Sequence, residues 1–392
     1  MIRSLTLRAE KDNLAKDALS RPPRVDRVTL LQADVAEILC MSSRETMLAG
    51  VLHGEHDLKA ERVPSPTPRA GQVRLKLRRA GVCGSDVHYF EHGRCGAFAP
   101  SRPFILGHEF VADVEQLGAG VQSLEIGQRV VVNPAASCGQ CRACKAGRCN
   151  LCQRVVMLGS ASTTPPTDGA FAEFVVVPAH QCYALPDSMD DGEGAMMEPL
   201  CVALHAVNRA GGVAGRTVLV TGGGPIGLLS ARAATALGAR LVAISEPDAA
   251  RRSLAIHHGA DHALDPASGR FVEESRDLSG GGFDVVFEAS GAAAAVRSAM
   301  DAAGRGGTIV QIGTVAAGDA TLPVNDLMVR ELSLLGTFRY SDEFPRAIDL
   351  VARGKIDVAP MITGVYPLAD VRVALEVACS GGDALKVQID AA

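Results

Sequence analysis

Residues Thr217 to Gly227 read TVLVTGGGPIG, an apolar strand-length run that enters a glycine-rich turn and is followed by an apolar, alanine-rich segment. In the spacing Gly222-x-Gly224-x-x-Gly227, the first glycine permits a tight turn and the second lets the backbone approach a diphosphate. The third lets the following helix pack closely on the strand. Because a strand precedes the glycines and a helix follows them, the stretch predicts a dinucleotide-binding βαβ unit.

The residues that follow this turn refine the prediction. Pro225 and Ile226 open the predicted helix, where a proline costs no hydrogen bond and the free N–H groups favour a phosphate. The next strand, Leu241–Ser245, runs into Glu246, whose carboxylate can accept hydrogen bonds from ribose hydroxyls and would repel a 2′-phosphate. Arg251 and Arg252 are close enough in sequence to assist a phosphate. We therefore expect NAD as the cofactor, with NADP possible.

The rest of the chain shows two different patterns of apolar residues, one on each side of the glycine-rich turn. Downstream of the turn, apolar strand-length runs alternate with helix-length segments, which predicts a doubly wound parallel sheet from Val218–Val220, Leu241–Ile244, Val285–Phe287, Thr308–Ile312 and Leu332–Leu335. Upstream, short alternating runs between Gly and Pro turns predict a barrel of small antiparallel strands from Leu48–His53, Val73–Arg79, Phe110–Leu117, Arg129–Asn133 and Ala172–Val177. Glu343–Arg353 reads as an amphipathic helix, and the chain then returns to short mixed elements.

Composition excludes several classes of protein. The 392 residues suffice for two domains, and 47 % hydrophobic with 21 % charged residues is ordinary for a globular chain. A net charge of −5 gives no basic character for nucleic acid, and no apolar run approaches the roughly 18 residues of a membrane span. Residues 1–46 lack the periodicity of the remainder and are expected to be a disordered extension, or to precede a true start at Met41 or Met47.

Five of the eleven cysteines lie between residues 138 and 152. No secretory signal is recognisable, so we expect a cytoplasmic chain in which clustered cysteines bind metal rather than form disulfides. Four thiolates in one loop can close a tetrahedral zinc site with no open position, which makes the site structural. The predicted ligands are Cys138, Cys141, Cys144 and Cys152, and from spacing alone Cys149 competes with Cys152.

A second candidate metal site lies in the stretch 81–114, where Cys83 stands at one end and His108-Glu109 near the other. Thiolate, imidazole and carboxylate are the ligands of a catalytic zinc that keeps one position open. Ser85 and His88 follow the cysteine at spacings that could carry a proton from an alcohol to solvent. Further along, Glu198-Pro199-Leu200 places a carboxylate at a predicted helix start, where it would either hold the metal or its water or serve as a cap.

The order of these motifs resembles that of the zinc-dependent medium-chain dehydrogenases, in their polyol dehydrogenase branch. The motifs are a Cys-Gly-Ser-Asp-x-His stretch, Gly-His-Glu, the four-cysteine loop, Glu-Pro-Leu and GGGPIG. The resemblance covers about residues 47–390. It implies a GroES-like barrel at 47–200 and 338–392 around a Rossmann domain at 201–337, with the active site between them. It also implies two zinc ions per chain, a nicotinamide cofactor and a homodimer or homotetramer.

The same resemblance assigns roles to individual residues. Cys83, His108 and Glu109 match the catalytic zinc ligands, Glu198 a carboxylate at that metal, and Ser85 with His88 the proton relay. The remaining matches are the structural zinc ligands Cys138, Cys141, Cys144 and Cys152, the dinucleotide residues Gly222, Gly224, Gly227 and Glu246, and the substrate-pocket residues Tyr89, Arg339 and Tyr340. Cys149 is left out, and Glu246 departs from the aspartate that is commoner in the family.

These roles imply that the chain oxidises a secondary alcohol. Within the branch, the chain resembles enzymes that act on L-idonate, a sugar acid, more than enzymes that act on sorbitol or xylitol. The similar stretches are Asn133-Pro134, the run Leu158–Ala161 and the late run Gly336–Phe344. Sorbitol or xylitol is the alternative substrate. Arg339 would then bind the acid, because its forked donors suit a carboxylate. A zinc finger that binds nucleic acid is a remote alternative, since the chain is acidic and carries the dinucleotide turn.

Overall fold

A computed structural model describes residues 46–315 and 321–391. In these residues the strands are, in chain order, β1 (Thr46–Gly54), β2 (Asp57–Pro64), β3 (Gln72–Gly81), β4 (Phe104–Ile105), β5 (Glu109–Leu117), β6 (Arg129–Val132), β7 (Ala135–Ala136), β8 (Val156–Met157), β9 (Phe174–Pro178), β10 (Cys182–Ala184), β11 (Thr217–Thr221), β12 (Leu241–Ser245), β13 (His262–Leu264), β14 (Phe283–Glu288), β15 (Ala303–Gln311), β16 (Ser333–Gly336), β17 (Ile362–Pro367) and β18 (Lys386–Asp390). Except for Thr46, the predicted extension 1–46 lies outside the described residues.

The α-helices of the described residues are α1 (Gly84–His92), α2 (Arg142–Lys145), α3 (Asp191–Ala195), α4 (Met197–Arg209), α5 (Pro225–Ala236), α6 (Ala249–His257), α7 (Phe271–Ser279), α8 (Ala293–Ala302), α9 (Val324–Val329), α10 (Phe344–Ala352) and α11 (Val371–Ser380). Helix α10 agrees with the amphipathic helix predicted for Glu343–Arg353. No helix in this part of the chain is both long and apolar enough to cross a bilayer.

Six strands form one parallel sheet in the spatial order β13-β12-β11-β14-β15-β16. All five residues of β11 are buried, as expected when helices cover both faces of a parallel sheet. Five strands agree with predicted apolar runs, whereas β13 was not predicted because its three residues include an exposed histidine and form no apolar run. The strand order reverses between β11 and β14, and ligands of such sheets bind at the carboxyl ends there.

The remaining strands of the described residues form a seven-stranded, a three-stranded and a two-stranded sheet (β7-β8), antiparallel except for the parallel pair β17-β18. The larger sheet has the order β10-β6-β5-β3-β18-β17, with β9 also paired to β3. Strand β3 buries alternate residues, Val73, Leu75 and Leu77, which is the period-two pattern of a sheet with one face in the core. Strand β18 pairs antiparallel with β3, so the last strand of the chain completes a sheet begun by its first half.

Helix α4 runs across position 200/201, where the sequence analysis placed a domain boundary. Its residues Leu200 and Leu204 are fully buried in one hydrophobic cluster that also contains Val111 of β5 and Val220 of β11. The helix therefore packs against β5 and against helix α5, which itself covers the parallel sheet. Side chains at its N-terminal end are consequently positioned by both.

Candidate active site

The three side chains predicted to bind a catalytic metal meet where β3 ends and β5 begins. One ligand atom from each of Cys83, His108 and Glu109 lies within 4.8 Å of the others. Cys83 caps helix α1, and Glu109 is the first residue of β5, directly opposite Gly81. A Cβ atom at position 81 would lie 2.2 Å from Glu109 Oε2, so only glycine leaves room for this carboxylate.

The chemistry of this cluster suits a divalent cation. Besides the thiol of Cys83 it concentrates the carboxyl groups of Asp86, Glu109 and Glu198, all buried. Burial lowers the pKa of His108, but the charges of Asp86 and Cys83 outweigh it and hold this pKa well above its usual range. Excess negative charge beside an imidazole and a thiol is the environment that a zinc ion would neutralise. The residues therefore fit the predicted metal.

Glu198 enters the site from the first turn of α4. Burial raises the pKa of its carboxyl group to about 7, His108 lowers it and Glu109 raises it. These opposing influences show that the carboxyl group faces the same cluster. The structure thus brings the ligand atoms of Cys83, His108 and Glu109 together, whereas Glu198 is outside this group and is related to it through its charge interactions with His108 and Glu109.

Two residues of this site had no predicted role. Asp86 is fully buried and accepts hydrogen bonds from the N–H groups of Cys83 (2.9 Å) and Gly107 (3.2 Å), which joins the two chain segments that carry the ligands. Lys386 donates to both oxygens of Glu109, at 2.9 and 2.7 Å. Asp86 stands in the quoted motif, three residues after the cysteine, and could have been found as a capping residue. The sequence around Lys386 gives no sign that its side chain pairs with Glu109.

The predicted proton relay faces a crevice beside the site. Ser85 and His88 lie on helix α1, both partly exposed. His88 lines a cavity of about 370 Å³ together with His92, Arg94, Cys95, Gly96 and Thr314. Thr314 follows β15 of the parallel sheet, whereas the other five belong to the first half of the chain. His88 therefore borders a crevice lined by both halves of the chain, whereas Ser85 is not among its lining residues.

The predicted substrate residues occupy different surroundings. Tyr340 is buried, and its hydroxyl has no hydrogen-bond partner among the described residues. Burial lowers the pKa of Arg339, while the charges of Tyr340, Glu198 and Tyr89 raise it. Tyr89 is buried against Phe104, and its hydroxyl accepts a hydrogen bond from Ala161 N at 2.9 Å. The Tyr89 O–H group keeps its hydrogen as a donor, because the bond from Ala161 uses only an acceptor position.

The glycine-rich turn lies at the carboxyl end of β11, at the point where the strand order reverses. Gly222 has φ 101°, which favours glycine, and its N–H donates to Ser245 O at 2.8 Å. At Gly227 a Cβ atom would lie 1.9 Å from Gly222 O, so the close contact of helix and turn requires glycine. Gly224 caps helix α5, with Pro225 as its first residue and Ile226 as its second. This is the predicted phosphate-binding arrangement.

Glu246 lies beside this turn and is 7 % exposed. Its carboxylate accepts hydrogen bonds from Gly223 N at 2.7 Å and from Asp248 N at 3.0 Å. Arg252 is engaged, because it donates to the carbonyl oxygens of Glu246 and Pro247. Arg251, by contrast, has no side-chain hydrogen bond or ion pair within the described ranges, so it is the cation available to a phosphate.

The four predicted structural zinc ligands come together in one loop. Their sulfur atoms lie within 4.8 Å of one another, and Cys149 is outside the group. Cys152 Sγ accepts hydrogen bonds from Cys138 N at 3.4 Å and from Arg154 N at 3.3 Å. Backbone hydrogen bonds, the largest from Gln140, lower the pKa of Cys138 to about 5, whereas burial raises the pKa of the neighbouring Cys144 to about 12. The loop therefore fits a closed four-thiolate zinc site.

Comparison with known families matches both halves of this arrangement. Residues 69–187 match the alcohol dehydrogenase GroES-like domain, and residues 225–353 match the zinc-binding dehydrogenase family. The chain belongs to the zinc-dependent medium-chain dehydrogenases. This confirms the family and its polyol branch predicted from the motifs, together with the GroES-like and Rossmann fold class. Zinc and a nicotinamide cofactor are supported as well.

Similar proteins share most of their length with this dehydrogenase. Sorbitol dehydrogenase of Bacillus subtilis is 34 % identical over 88 % of this chain and 97 % of its own, and D-xylulose reductase A of Aspergillus niger is 38 % identical over 84 % and 92 %. The crystal structure of L-idonate 5-dehydrogenase from Escherichia coli has a TM-score of 0.82 at 32 % identity, covering 88 % of this chain and 98 % of that one. A zinc-binding dehydrogenase of Sinorhizobium meliloti, crystallised with NADP, has a TM-score of 0.81 at 35 % identity, covering 88 % and 99 %.

Proposed function

We propose that this dehydrogenase oxidises a secondary alcohol of an open-chain sugar acid, with L-idonate and its 5-keto product as the best candidates, and that it prefers NAD. The observation that supports the sugar-acid substrate is a buried, unpaired hydrogen-bond donor on the side chain of Arg339. Its Nη1 atom is buried without a hydrogen-bond partner within residues 46–315 and 321–391. Its guanidinium stacks 4.8 Å from the ring of its own neighbour Phe338.

A buried guanidinium donor that lacks a partner is costly, because its hydration is lost and nothing replaces it. A substrate carboxylate would supply the missing acceptor, and arginine binds carboxylates in a bidentate geometry that a neutral hydroxyl cannot reproduce. Arg339 lies close enough to Glu198 for their charges to interact. An acid bound to Arg339 would therefore lie near the predicted metal ligands.

Different residues of the chain would bind the metal, transfer the proton and hold the cofactor in this reaction. Cys83 and His108, with Glu109 or Glu198, would hold a zinc ion that acts as a Lewis acid and lowers the pKa of the alcohol. Ser85 would accept the alcohol proton and pass it to His88, which borders the crevice and can release it to solvent. The glycine turn and the start of α5 would hold the diphosphate of a nicotinamide cofactor that accepts the hydride.

The preference for NAD is proposed from Glu246. Its buried carboxylate stands beside the turn and keeps acceptor capacity for ribose hydroxyls, whereas a 2′-phosphate would bring like charges together. Arg251 is the residue that would weaken this preference. A related chain crystallised with NADP is the reason to test both cofactors.

A neutral polyol such as sorbitol or xylitol is the second candidate substrate. It is favoured by the sorbitol dehydrogenase and D-xylulose reductase among the relatives. In that case Arg339 would contact hydroxyl groups or the cofactor, and its side chain would not distinguish acids from polyols.

We also propose a cytoplasmic homo-oligomer, a dimer or tetramer. Strand β16 is an edge of the parallel sheet, and the adjacent helix α9 exposes Val324, Met328 and Val329 at 57–69 %. Exposed apolar residues beside a free strand edge suit pairing with a second copy. Light scattering on a sizing column measures the mass, and a monomer at working concentration would contradict the proposal.

The substrate class is tested by steady-state kinetics. Purified zinc-loaded enzyme is assayed for NAD reduction with L-idonate, D-gluconate, sorbitol and xylitol at matched concentrations. The proposal expects the highest kcat/KM with a sugar acid. A higher value for sorbitol or xylitol would establish the second candidate, and no turnover with any of the four would reject both.

A further inference from the structure

The segment 336–341, which carries Arg339 and Tyr340, receives little packing on one side. A cavity of about 420 Å³ is lined both by this segment and by the four-cysteine loop, and Phe338 is 49 % exposed. Arg339 has φ 53°, a backbone conformation that residues other than glycine rarely adopt. Within the segment, Tyr340 is held by apolar packing against Phe344. Residues 336–339 have no fully buried side chain, so polar anchors contribute to holding their backbone.

Two of these anchors come from the four-cysteine loop. Asn150 Nδ2 donates to Phe338 O at 2.9 Å, and Ser341 Oγ donates to Gly147 O at 2.9 Å. Both loop residues lie between Cys144 and Cys152, the last two predicted ligands. The backbone on each side of Arg339 is thus tied to the loop that would close around the structural zinc.

A third anchor is the carboxylate of Glu343, which is 4 % exposed. Its Oε2 atom accepts a hydrogen bond from Ser341 N at 2.6 Å. Its Oε1 atom lies 2.7 Å from His205 Nδ1 and 3.0 Å from Asn208 Nδ2, both on helix α4. Glu343 therefore connects the substrate segment to the helix that carries Glu198.

The hydrogen-bond directions link these anchors into one chain. Because His205 Nδ1 faces a carboxylate, Nδ1 must donate, which leaves Nε2 of the neutral ring as an acceptor. Asn150 Nδ2 lies 3.4 Å from that Nε2 atom and can donate one hydrogen there and the other to Phe338 O. Glu343 thus sets the tautomer of His205, and the tautomer orients Asn150.

We propose that Glu343 is a positioning residue for substrate recognition. Acting through Ser341 and through His205 and Asn150, it holds the backbone of residues 338–341 so that Arg339 faces the site, and it makes substrate affinity depend on the four-cysteine loop. The inference rests on the proposed function, because it assigns Arg339 to the substrate. Glu343 is not among the candidate metal ligands of the described residues.

The test uses Glu343→Gln with Asp342→Asn as its matched control. Glutamine keeps the size of the side chain but has one acceptor oxygen, so it cannot serve Ser341, His205 and Asn208 together. We expect KM for the preferred substrate to rise about tenfold while kcat changes less than about threefold and KM for NAD stays constant. Asp342 is the adjacent, exposed carboxylate, and its loss should leave all three constants unchanged.

A second variant and a second measurement cover the case in which Glu343→Gln folds poorly. Asn150→Ala removes the donor to Phe338 O and should raise the same KM without reducing the zinc content. Hydrogen–deuterium exchange requires no substrate. Peptides that span 336–341 should exchange faster in both variants and remain at the wild-type rate in Asp342→Asn.

Three results would overturn the inference: an unchanged KM in a folded Glu343→Gln enzyme, losses confined to kcat, or unaltered exchange in the segment. Failure of the proposed function looks different. If the wild type oxidises neither sugar acids nor polyols, KM cannot be measured for any variant. Hydrogen–deuterium exchange still shows whether Glu343 holds residues 336–341.

Discussion

Lys386 Nζ lies 2.7 Å from Oε2 and 2.9 Å from Oε1 of Glu109, and both side chains are buried. The ammonium group also donates to Val82 O at 3.1 Å, which gives it three acceptors. Burial lowers the pKa of Lys386, but Glu109 and Cys83 outweigh it and raise the pKa, so the group stays charged. A cation from the last strand thus balances a carboxylate predicted to bind the catalytic zinc.

Replacing Lys386 with methionine should destabilise the zinc-free protein more than the zinc-loaded protein. Without lysine or metal, Glu109 is a buried unpaired charge, and breaking such a pair costs about 3–5 kcal/mol. Zinc would offer the carboxylate another cation and reduce the loss. Thermal unfolding with and without a chelator measures the difference. Lys386→Arg, which retains the charge, is the control, and equal losses in both metal states would contradict the argument.

The two metal sites should respond differently to loss of a thiol. We expect two zinc ions per chain, one in each group of candidate ligands. Cys83→Ser should remove one zinc and abolish turnover while thermal stability changes little. Cys141→Ser should instead lower stability strongly, because a closed zinc site contributes its binding energy to folding.

Cys149→Ser is the matched control for these variants, since Cys149 lies in the same loop but outside the ligand group. It should keep two zinc ions by elemental analysis and wild-type activity. One zinc or none per wild-type chain, or loss of metal from Cys149→Ser, would show that the assignment of ligands is wrong.

The features predicted from the sequence are those whose information is local. The turn from Gly222 to Gly227 sits between a strand and a helix that are adjacent in sequence, and the four cysteines fall within one loop. Family and fold follow from such patterns. Strand β13 was missed because three residues between turns carry too little apolar signal.

The unpredicted parts depend on partners that are distant in sequence. Lys386 and Glu109 are separated by 277 positions, and His205 and Glu343 by 138. A lysine that begins a strand carries no sign that it will be buried against a carboxylate. Helix α4 shares one hydrophobic cluster with residues of both sheets. The chain near residue 200 is therefore a buried helix, without the polar, Gly- and Pro-rich composition that marks a linker.

Glu246 should give NAD at least a tenfold advantage over NADP in kcat/KM, which corresponds to about 1.4 kcal/mol. Glu246→Gln removes the charge that would repel a 2′-phosphate and should narrow this ratio, mainly by improving NADP. Glu273→Gln, an exposed carboxylate of the same domain, is the control. Comparable wild-type values for the two cofactors would contradict the prediction, and loss of NADP activity in Arg251→Ala would then identify the phosphate partner.

Removing the imidazole of His88 should slow alcohol oxidation by roughly ten- to a thousandfold, because general base assistance contributes about 10² or more. Added imidazole should restore part of the rate in His88→Ala. His92→Ala is the control, since its ring lies 5.8 Å from that of His88 in the same helix but has no assigned role. If oxidation by His88→Ala matches the wild type across the pH range, the proton leaves by another route.

Arg339 should decide between acidic and neutral substrates. A bidentate arginine–carboxylate pair is strong and selective, and burying an acid without it is costly. We expect wild-type kcat/KM for L-idonate to exceed that for sorbitol by at least about tenfold. Arg339→Leu should lower kcat/KM for L-idonate and leave kcat/KM for sorbitol unchanged, so most of the preference should be lost. Arg339→Lys keeps the positive charge but not the paired N–H donors of the guanidinium group, and it should retain part of the preference. Equal losses for acid and polyol would mean that Arg339 binds hydroxyls or cofactor, and a wild-type preference for sorbitol or xylitol would make the enzyme a neutral-polyol dehydrogenase.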